Sequence, residues 1–218
     1  MPGEVATTKN KIFGIKSEDK SFEIYDLNTG QLSRGPNPPE WRQYASMSYF
    51  KNKLYYLGGG TDRVDVLIDG QWQTGPTFPL KTIVIQTIAC DGVLYVIDGW
   101  DKKIYRLSDN EREWVKVGEI PEKRDSFGVG SLNGRIYITG GWKSGIDTLK
   151  SCLCFDPSAS VDSGISRIAD MNYARNCHSL IVTNAKLYAI GGSQKNNRNS
   201  IEEYDPQTNK WREVGKLN

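Results

Sequence analysis

Apolar and aromatic residues in this chain come in short runs, each cut off by glycine, asparagine or aspartate, and one such run returns five times. KIFGI at 11–15, KLYYLGG at 53–59, VLYVIDG at 93–99, RIYITGG at 135–141 and KLYAIGG at 186–192 align on Phe13, Tyr55, Tyr95, Tyr137 and Tyr188. Those aromatics are 42, 40, 42 and 51 residues apart. Each run is strand-length and follows a turn dipeptide, so it reads as the second strand of a hairpin. Asp91-Gly92 and Asn133-Gly134 tolerate the positive φ angles of a type I′ turn. Asn10-Lys11, Asn52-Lys53 and Asn184-Ala185 carry a weaker form of the same signal. A third strand follows, marked by Tyr25, Tyr105, Phe155 and Tyr204. After a polar turn such as DLNTGQ or DPQTNK, a fourth strand opens on Leu32, Trp72, Trp114 or Trp211. The fourth unit lacks that tryptophan and has the longer turn DPSASVDSGISRIADM. Strands spaced this closely indicate all-β architecture, and no long stretch shows a 3.6-residue apolar period, so almost no helix is expected.

A period near 40–50 residues with paired glycines and aromatics points to β-propeller blades. The glycines Gly58-Gly59, Gly140-Gly141 and Gly191-Gly192 are intact, Asp98-Gly99 keeps one, and the first unit has Lys16-Ser17 instead. Glycine belongs where blades crowd the backbone near a central axis. The glycine pair, the aromatic before it and the later Tyr-Asp-Pro…Trp, best seen in LYAIGGSQKNNRNSIEEYDPQTNKW at 187–211, make the chain resemble kelch-repeat proteins. The resemblance implies a kelch β-propeller of four-stranded antiparallel blades around a channel. The chain reads as a single kelch-repeat domain, 1–218, with repeats at about 1–40, 41–81, 82–123, 124–173 and 174–218. Kelch propellers usually have six or seven blades, and this chain supplies five. Three readings stay open: a segment of a longer product, an unusual five-bladed propeller, or two chains that complete each other through exposed terminal blades.

Composition narrows the chemistry. With 28 Lys+Arg against 26 Asp+Glu, the net charge of +2 argues against a nucleic-acid binder. No apolar stretch is long enough for a membrane span, and MPGEVATTKNK does not resemble a signal peptide. The single His178 cannot build a multi-histidine metal site, which also excludes the two-histidine copper site of galactose-oxidase-like kelch enzymes. The four cysteines form no CxxC. Without an N-x-[ST] acceptor either, they fit a reduced, cytoplasmic setting. No cofactor is expected.

Propellers carry their variable loops on two faces. The loops after the glycine pairs, at 60–64, 100–103, 142–149 and 193–200, are expected to share a face with the loops between blades, at 34–42, 75–82, 118–124 and 169–175. Two loop positions recur. Arg42, Arg124 and Arg175 each stand thirteen residues before a core aromatic, where the third unit has Thr82. Three guanidiniums in one bowl would suit a carboxylate or an acidic peptide; equally, each could brace its own blade by bonding loop carbonyls. The position after the glycines holds Gly60, Trp100, Trp142 and Ser193. Tryptophans beside arginines resemble a binding hot spot, and in kelch adaptors both position types resemble ones that contact peptide ligands. The candidate partner-binding residues are therefore Arg42, Trp100, Arg124, Trp142, Arg175 and Ser193, with Lys195 and Arg198 in a solvated loop. The reading is a non-catalytic protein-interaction module. The kelch resemblance implies either substrate recognition for a cullin-based ubiquitin ligase or association with actin and the cytoskeleton. A sialidase-like box, SVDSGIS at 160–166, reads as a chance turn. A sugar-acid-binding or isomerising kelch enzyme is kept as a third alternative.

Overall fold

The structure is a computed structural model that describes residues 4–144, 147–160, 164–193 and 199–217. Lys195, Arg198 and the middle of the SVDSGIS string lie outside the described residues. The fold is all-β, built of five four-stranded antiparallel propeller blades, and no described residue is helical. Blade 1 comprises β1 (Glu4–Thr7), β2 (Lys11–Ile15), β3 (Phe22–Asp26) and β4 (Leu32–Arg34); blade 2 comprises β5 (Ala45–Phe50), β6 (Lys53–Gly58), β7 (Val64–Ile68) and β8 (Gln71–Thr74). Blade 3 comprises β9 (Ile85–Cys90), β10 (Val93–Asp98), β11 (Lys103–Leu107) and β12 (Trp114–Glu119). Blade 4 comprises β13 (Gly128–Leu132), β14 (Arg135–Thr139), β15 (Cys152–Phe155) and β16 (Ile165–Ile168). Blade 5 comprises β17 (Ser179–Thr183), β18 (Lys186–Ile190), β19 (Ser200–Asp205) and β20 (Lys210–Lys216). Strands in each sheet follow chain order.

The hairpin turns confirm four of the five expected dipeptide regions in kind and correct the register of two. Asp91-Gly92, Asn133-Gly134 and Asn184-Ala185 all take positive φ as expected. In blade 2 the turn residues are Lys51-Asn52, since Phe50 faces Lys53 across the hairpin. In blade 1 the Thr8 amide reaches the Lys11 carbonyl, and the Thr8 hydroxyl accepts the Asn10 and Lys11 amides. A threonine-capped turn thus replaces the left-handed pair, one residue earlier than the sequence suggests.

The chain groups into two compact units, Met1–Val96 with Tyr105–Val115, and Ile97–Ile104 with Lys116–Asn218. In the first unit, Phe13, Ile15 and Phe22 of blade 1 pack on Met47, Leu54, Tyr56 and Leu67 of blade 2. Tyr55, Leu57 and Val66 pack on Leu94, Val96, Leu107 and Trp114. In the second unit, Leu132, Tyr137, Cys152 and Cys154 of blade 4 meet Leu187, Ala189, Tyr204 and Trp211 of blade 5. The fourth-strand tryptophans belong to this packing. The indole N–H groups of Trp72, Trp114 and Trp211 donate to the carbonyls of Pro36 (2.7 Å), Pro76 (3.0 Å) and Ala169 (3.0 Å). Each bond ties a blade to the loop that leaves the blade before it, and satisfies an indole that burial would otherwise leave without a partner. Leu32 has no side-chain donor to make such a bond and is exposed.

Candidate partner-binding site

The arginines face inward. Arg42, Arg124 and Arg175 are 4%, 1% and 0% exposed. Arg42 donates to the Arg63 carbonyl (2.6 Å), the Tyr56 carbonyl (3.0 Å) and the Asp65 carboxylate (2.7 Å). Arg124 donates to the carbonyls of Gly140 and Ser151, both at 2.8 Å, the Ser151 hydroxyl (2.8 Å) and Glu122 (3.0 Å). Arg175 reaches the carbonyls of Gly191 (2.5 Å) and Ser200 (3.0 Å), the Ser200 hydroxyl (2.6 Å) and Glu202 through Nε and Nη2. These bonds correct the expectation that the guanidiniums point into a shared bowl. Each fork is consumed by the carbonyls that end its blade's second strand and begin its third, which is the bracing alternative. Their acidic partners were missed in the sequence. Asp65 and Glu202 are fully buried, at the same register position on β7 and β19, opposite Tyr56 and Ala189. At Glu122 burial pushes the carboxyl up, but Arg124, Lys143 and the Ser151 hydroxyl outweigh it and leave the carboxyl below its ordinary range.

The two loop sets meet, as expected of one face. The Gly60 amide donates to the Thr82 carbonyl (2.9 Å), Arg124 to Gly99 (2.9 Å) and Gly141 to Arg175 (2.7 Å). The approach is close enough to need glycine: a Cβ on Gly99 would lie 1.8 Å from the Arg124 carbonyl oxygen, and one on Gly140 would lie 2.4 Å from that of Arg175.

Within the second unit this face is a continuous hydrogen-bonded rim carrying Trp100, Trp142 and Ser193. Asp98 is fully buried and accepts the amides of Trp100 and Asp101, both at 2.9 Å. Such an Asx-type turn presents the Trp100 ring, which is 50% exposed and has the Lys123 ammonium 4.2 Å from its centroid. Arg124 and Asp125 follow Lys123, and Asp125 exchanges two 2.7 Å backbone bonds with Trp142. Trp142 bridges to Thr148, whose hydroxyl accepts from the Asn176 amide group; Ser193 in turn bonds Asn176 through both its amide and its hydroxyl. Trp142 is half-buried in these contacts and Ser193 is exposed. No sequence signal marks the cation over Trp100, and Asp98 reads there only as a lost glycine. Also unforeseen are the left-handed residues that precede the first strands: Ser126 and Cys177 in this unit, with the Cys177 amide donating to Ser126, and exposed Tyr44 in the other. Non-glycine residues held at positive φ are strained and cluster at functional surfaces.

Other chemistry-bearing groups are structural. His178 bonds the Thr139 hydroxyl (2.8 Å) through Nε2, while its buried Nδ1 has no partner. Burial, helped by Arg175, lowers its pKa to about 4. Cys177 beside it is exposed, so the two form no dyad. Cys152 and Cys154 are buried and free, and burial pushes the Cys152 thiol up to about 12. A cleft of about 550 Å³ in the first unit lies between Lys53, Tyr55 and the 109–112 turn. Of its two carboxylates, Glu111 is already held by Lys53 (2.5 Å) and Tyr55 (2.9 Å), and Asp109 pairs with Arg106 (3.4 Å). Among the described residues no three His, Cys, Asp or Glu side chains group to hold a metal ion, and no helix is long and apolar enough to cross a membrane.

Comparison with known proteins agrees with the repeats. The Kelch motif matches residues 123–160 and 174–218, which contain blades 4 and 5. Kelch-like protein 24 of Rattus norvegicus is 24% identical over 119 residues, covering 55% of this chain and 20% of that protein. Kelch-like protein 26 of Danio rerio is 23% identical over 220 residues, covering 91% of this chain and 36% of that protein. The chain thus spans only about a fifth to a third of the length of these relatives. Among solved structures, that of YjhT superposes with a TM-score of 0.82 at 14% identity, over 99% of this chain and 83% of that one, a likeness of fold. Taken with five strand quartets in repeat register, the motif matches and these relatives support a kelch-repeat family for this chain, in its kelch portion alone.

Proposed function

We propose that this chain is a non-catalytic protein-interaction module whose partner docks on the rim built by Trp100, Trp142 and Ser193. The observation that carries the reading is the half-exposed Trp100 ring, flanked by Lys123 on a loop whose backbone amide is held by buried Asp98. A large aromatic held in one position loses little entropy when it is covered, as hot-spot residues require. Arg42, Arg124 and Arg175 support such rims from behind, through the loop backbone. The partner's matching patch is an apolar side chain for Trp100 beside a carboxylate for Lys123, so the acidic character expected of the ligand rests on the lysine. The sugar-acid alternative needs guanidiniums open to a channel, and the burial of these three weighs against it. Four free cysteines, three of them buried, support a reducing, cytoplasmic place of work. Of the roles implied by the kelch resemblance, substrate recognition for a cullin-based ligase is preferred, because the relatives described above are kelch-like proteins; actin association is the alternative.

The test is affinity capture with the wild-type chain against Trp100→Ala and Lys123→Glu, with melting temperature as control. Loss of the same captured proteins in both variants at unchanged melting temperature is expected. An unchanged set would overturn the reading. Co-sedimentation with filamentous actin separates the two cellular roles.

A further inference from the structure

The cleft beside the 109–112 turn marks a joint between blades 2 and 3 that stays open. Strand pairing sets Tyr55 opposite Val66 and Val66 opposite Gln73. Alternate residues of a strand share a face, so Lys53, Tyr55, Val66, Ile68 and Gln73 all lie on one face of blade 2. The inner part of that face packs on blade 3, with Tyr55 and Val66 against Leu107 and Trp114. Its outer end borders the cleft of about 550 Å³, whose lining includes Val66, Ile68, Gln73, Thr74, Pro76 and Arg112. Blades 4 and 5 close the same joint with an asparagine. Asn209 stands two residues before Trp211, and its Oδ1 accepts the Ala169 amide (2.8 Å) and the Tyr204 hydroxyl (2.9 Å). In blade 3 the closing set is gone. Arg112 stands two residues before Trp114, and Leu107 replaces the tyrosine and has no hydroxyl. Pro76, whose carbonyl takes the Trp114 indole as Ala169 takes that of Trp211, has no amide hydrogen.

The loss frees a cation. The Arg112 amide is held by Ser108 and Asn110, but among the described residues its guanidinium makes no hydrogen bond or ion pair. The turn that carries it is nevertheless pinned. Glu111 sits at a φ of 58°, a strained conformation for a side chain of its kind. Its carboxylate reaches across to Lys53 and Tyr55 on β6, and the bond from Lys53 holds it below its ordinary pKa, so the strut is charged at neutral pH. The indole bond to Pro76 and the Glu111 strut together hold the cleft open before any ligand arrives, which lowers the entropy cost of filling it.

We propose that this cleft binds an extended peptide segment of a partner protein, with an acidic side chain for Arg112 and an apolar one for Val66, Ile68 and Pro76. Charge complementarity sets the first contact. Both carboxylates of the cleft are already paired, Glu111 with Lys53 and Asp109 with Arg106, so the open charge is a guanidinium, whose fork matches a carboxylate. The backbone sets the second. β8 is the edge strand of blade 2, and its outer side pairs with no strand among the described residues, so an extended segment can add there. Side chains two apart on such a segment point the same way, which places the apolar and acidic residues at that spacing. The site lies wholly within the first unit, and the inference does not rest on the Trp100 rim.

The experiment is titration of the isotope-labelled chain with an end-capped Thr-Val-Thr-Glu-Thr peptide, followed by amide NMR shifts. The peptide is expected to shift the amides of β8 and of the 109–112 turn in a saturable way. Glutamine in place of its glutamate, and Arg112→Ala in the chain, each weaken binding by about tenfold, the scale of a lost charge-assisted hydrogen bond. Arg112 is exposed and its side chain braces nothing described, so the variant keeps its fold, which the spectrum itself checks. Arg112→Glu reverses the preference and takes a Thr-Val-Thr-Lys-Thr peptide instead, a gain that damage to the fold would not produce. Absence of saturable shifts, equal binding of the glutamate and glutamine peptides, or indifference to both substitutions overturns the proposal. So does free glutarate binding as tightly as the peptide, since the occupant is then a small anion rather than an extended segment.

Discussion

Replacing Arg175 with alanine tests the inward reading of the arginines directly. The side chain is wholly buried and donates five hydrogen bonds, two of them to Glu202, which is equally buried. Removing one partner of a buried ion pair costs about 3–5 kcal/mol, mostly through the charge left behind. Here the lower end applies. Glu202 keeps the Asn172 amide (2.6 Å), the Asn172 side chain (2.7 Å) and the Tyr173 amide (3.2 Å), and the Ser200 carbonyl keeps Gly191. The expected loss is about 3 kcal/mol, or roughly 6–12 °C in melting temperature for a chain of this size. Arg175→Lys keeps the charge but not the fork and falls between. Urea unfolding followed by tryptophan fluorescence, with calorimetry beside it, measures both. A double-mutant cycle with Glu202→Gln is expected to return a coupling of about 1–3 kcal/mol. If Arg175→Ala unfolds within about 0.5 kcal/mol of wild type, the size of an ordinary surface substitution, the bracing argument is refuted. If it also abolishes partner capture, the guanidinium is a contact residue after all.

Two further outcomes follow from close contacts. His178 has a folded pKa of about 4 against an ordinary 6.5, so the folded state binds fewer protons. Its contribution is fully present above pH 6.5 and drains away as pH falls towards 4; between pH 7 and 5 that amounts to about 2 kcal/mol. Unfolding at those two pH values should show this slope in wild type and a flatter one in His178→Gln; identical slopes would remove the assignment. Gly99→Ala drives a methyl into the Arg124 carbonyl, which must then move. A loss of about 2–3 kcal/mol is expected from overpacking a joint that cannot give way, together with weaker capture through the displaced Trp100. A Gly99→Ala protein as stable as wild type would show that the joint is looser than its geometry.

The fold was legible because a propeller blade is local. Strand, turn and glycine signals recur within about 42 residues, and the fourth-strand tryptophans announce themselves by register alone. The turn errors in blades 1 and 2 have a local cause: Thr8 and Lys51 do work that the asparagine–lysine dipeptide suggested for itself. The site was legible only in part. That Arg42, Arg124 and Arg175 repeat was visible, but repetition is the same whether a side chain faces out or in. The deciding partners, Asp65, Ser151 and Glu202, lie 23–27 residues further on. No fixed offset from the arginines finds them, because the loop between the second and third strands changes length from blade to blade. Nothing in the string at 98–100 reveals that Asp98 caps the loop or that Lys123 lies over Trp100, because that contact crosses from one blade to the next.

Burying the arginines and exposing the tryptophan are two parts of one arrangement. A loop that presents an aromatic ring to a partner must be held still, yet its backbone leaves a β-strand and loses the ladder that would hold it. In blades 4 and 5 the arginine fork restores what the ladder gives up, bonding the carbonyls at the end of the second strand and the start of the third. Its own backbone then ties on the neighbouring loop: the Arg124 amide holds Gly99, one residue before Trp100, and the Arg175 carbonyl holds Gly141, one residue before Trp142. Each arginine therefore fixes the rim residue of the blade before it. It follows that loosening Arg124 should disturb binding at Trp100 more than at Trp142, and loosening Arg175 the reverse, an ordering that arginines acting as direct contacts would not produce.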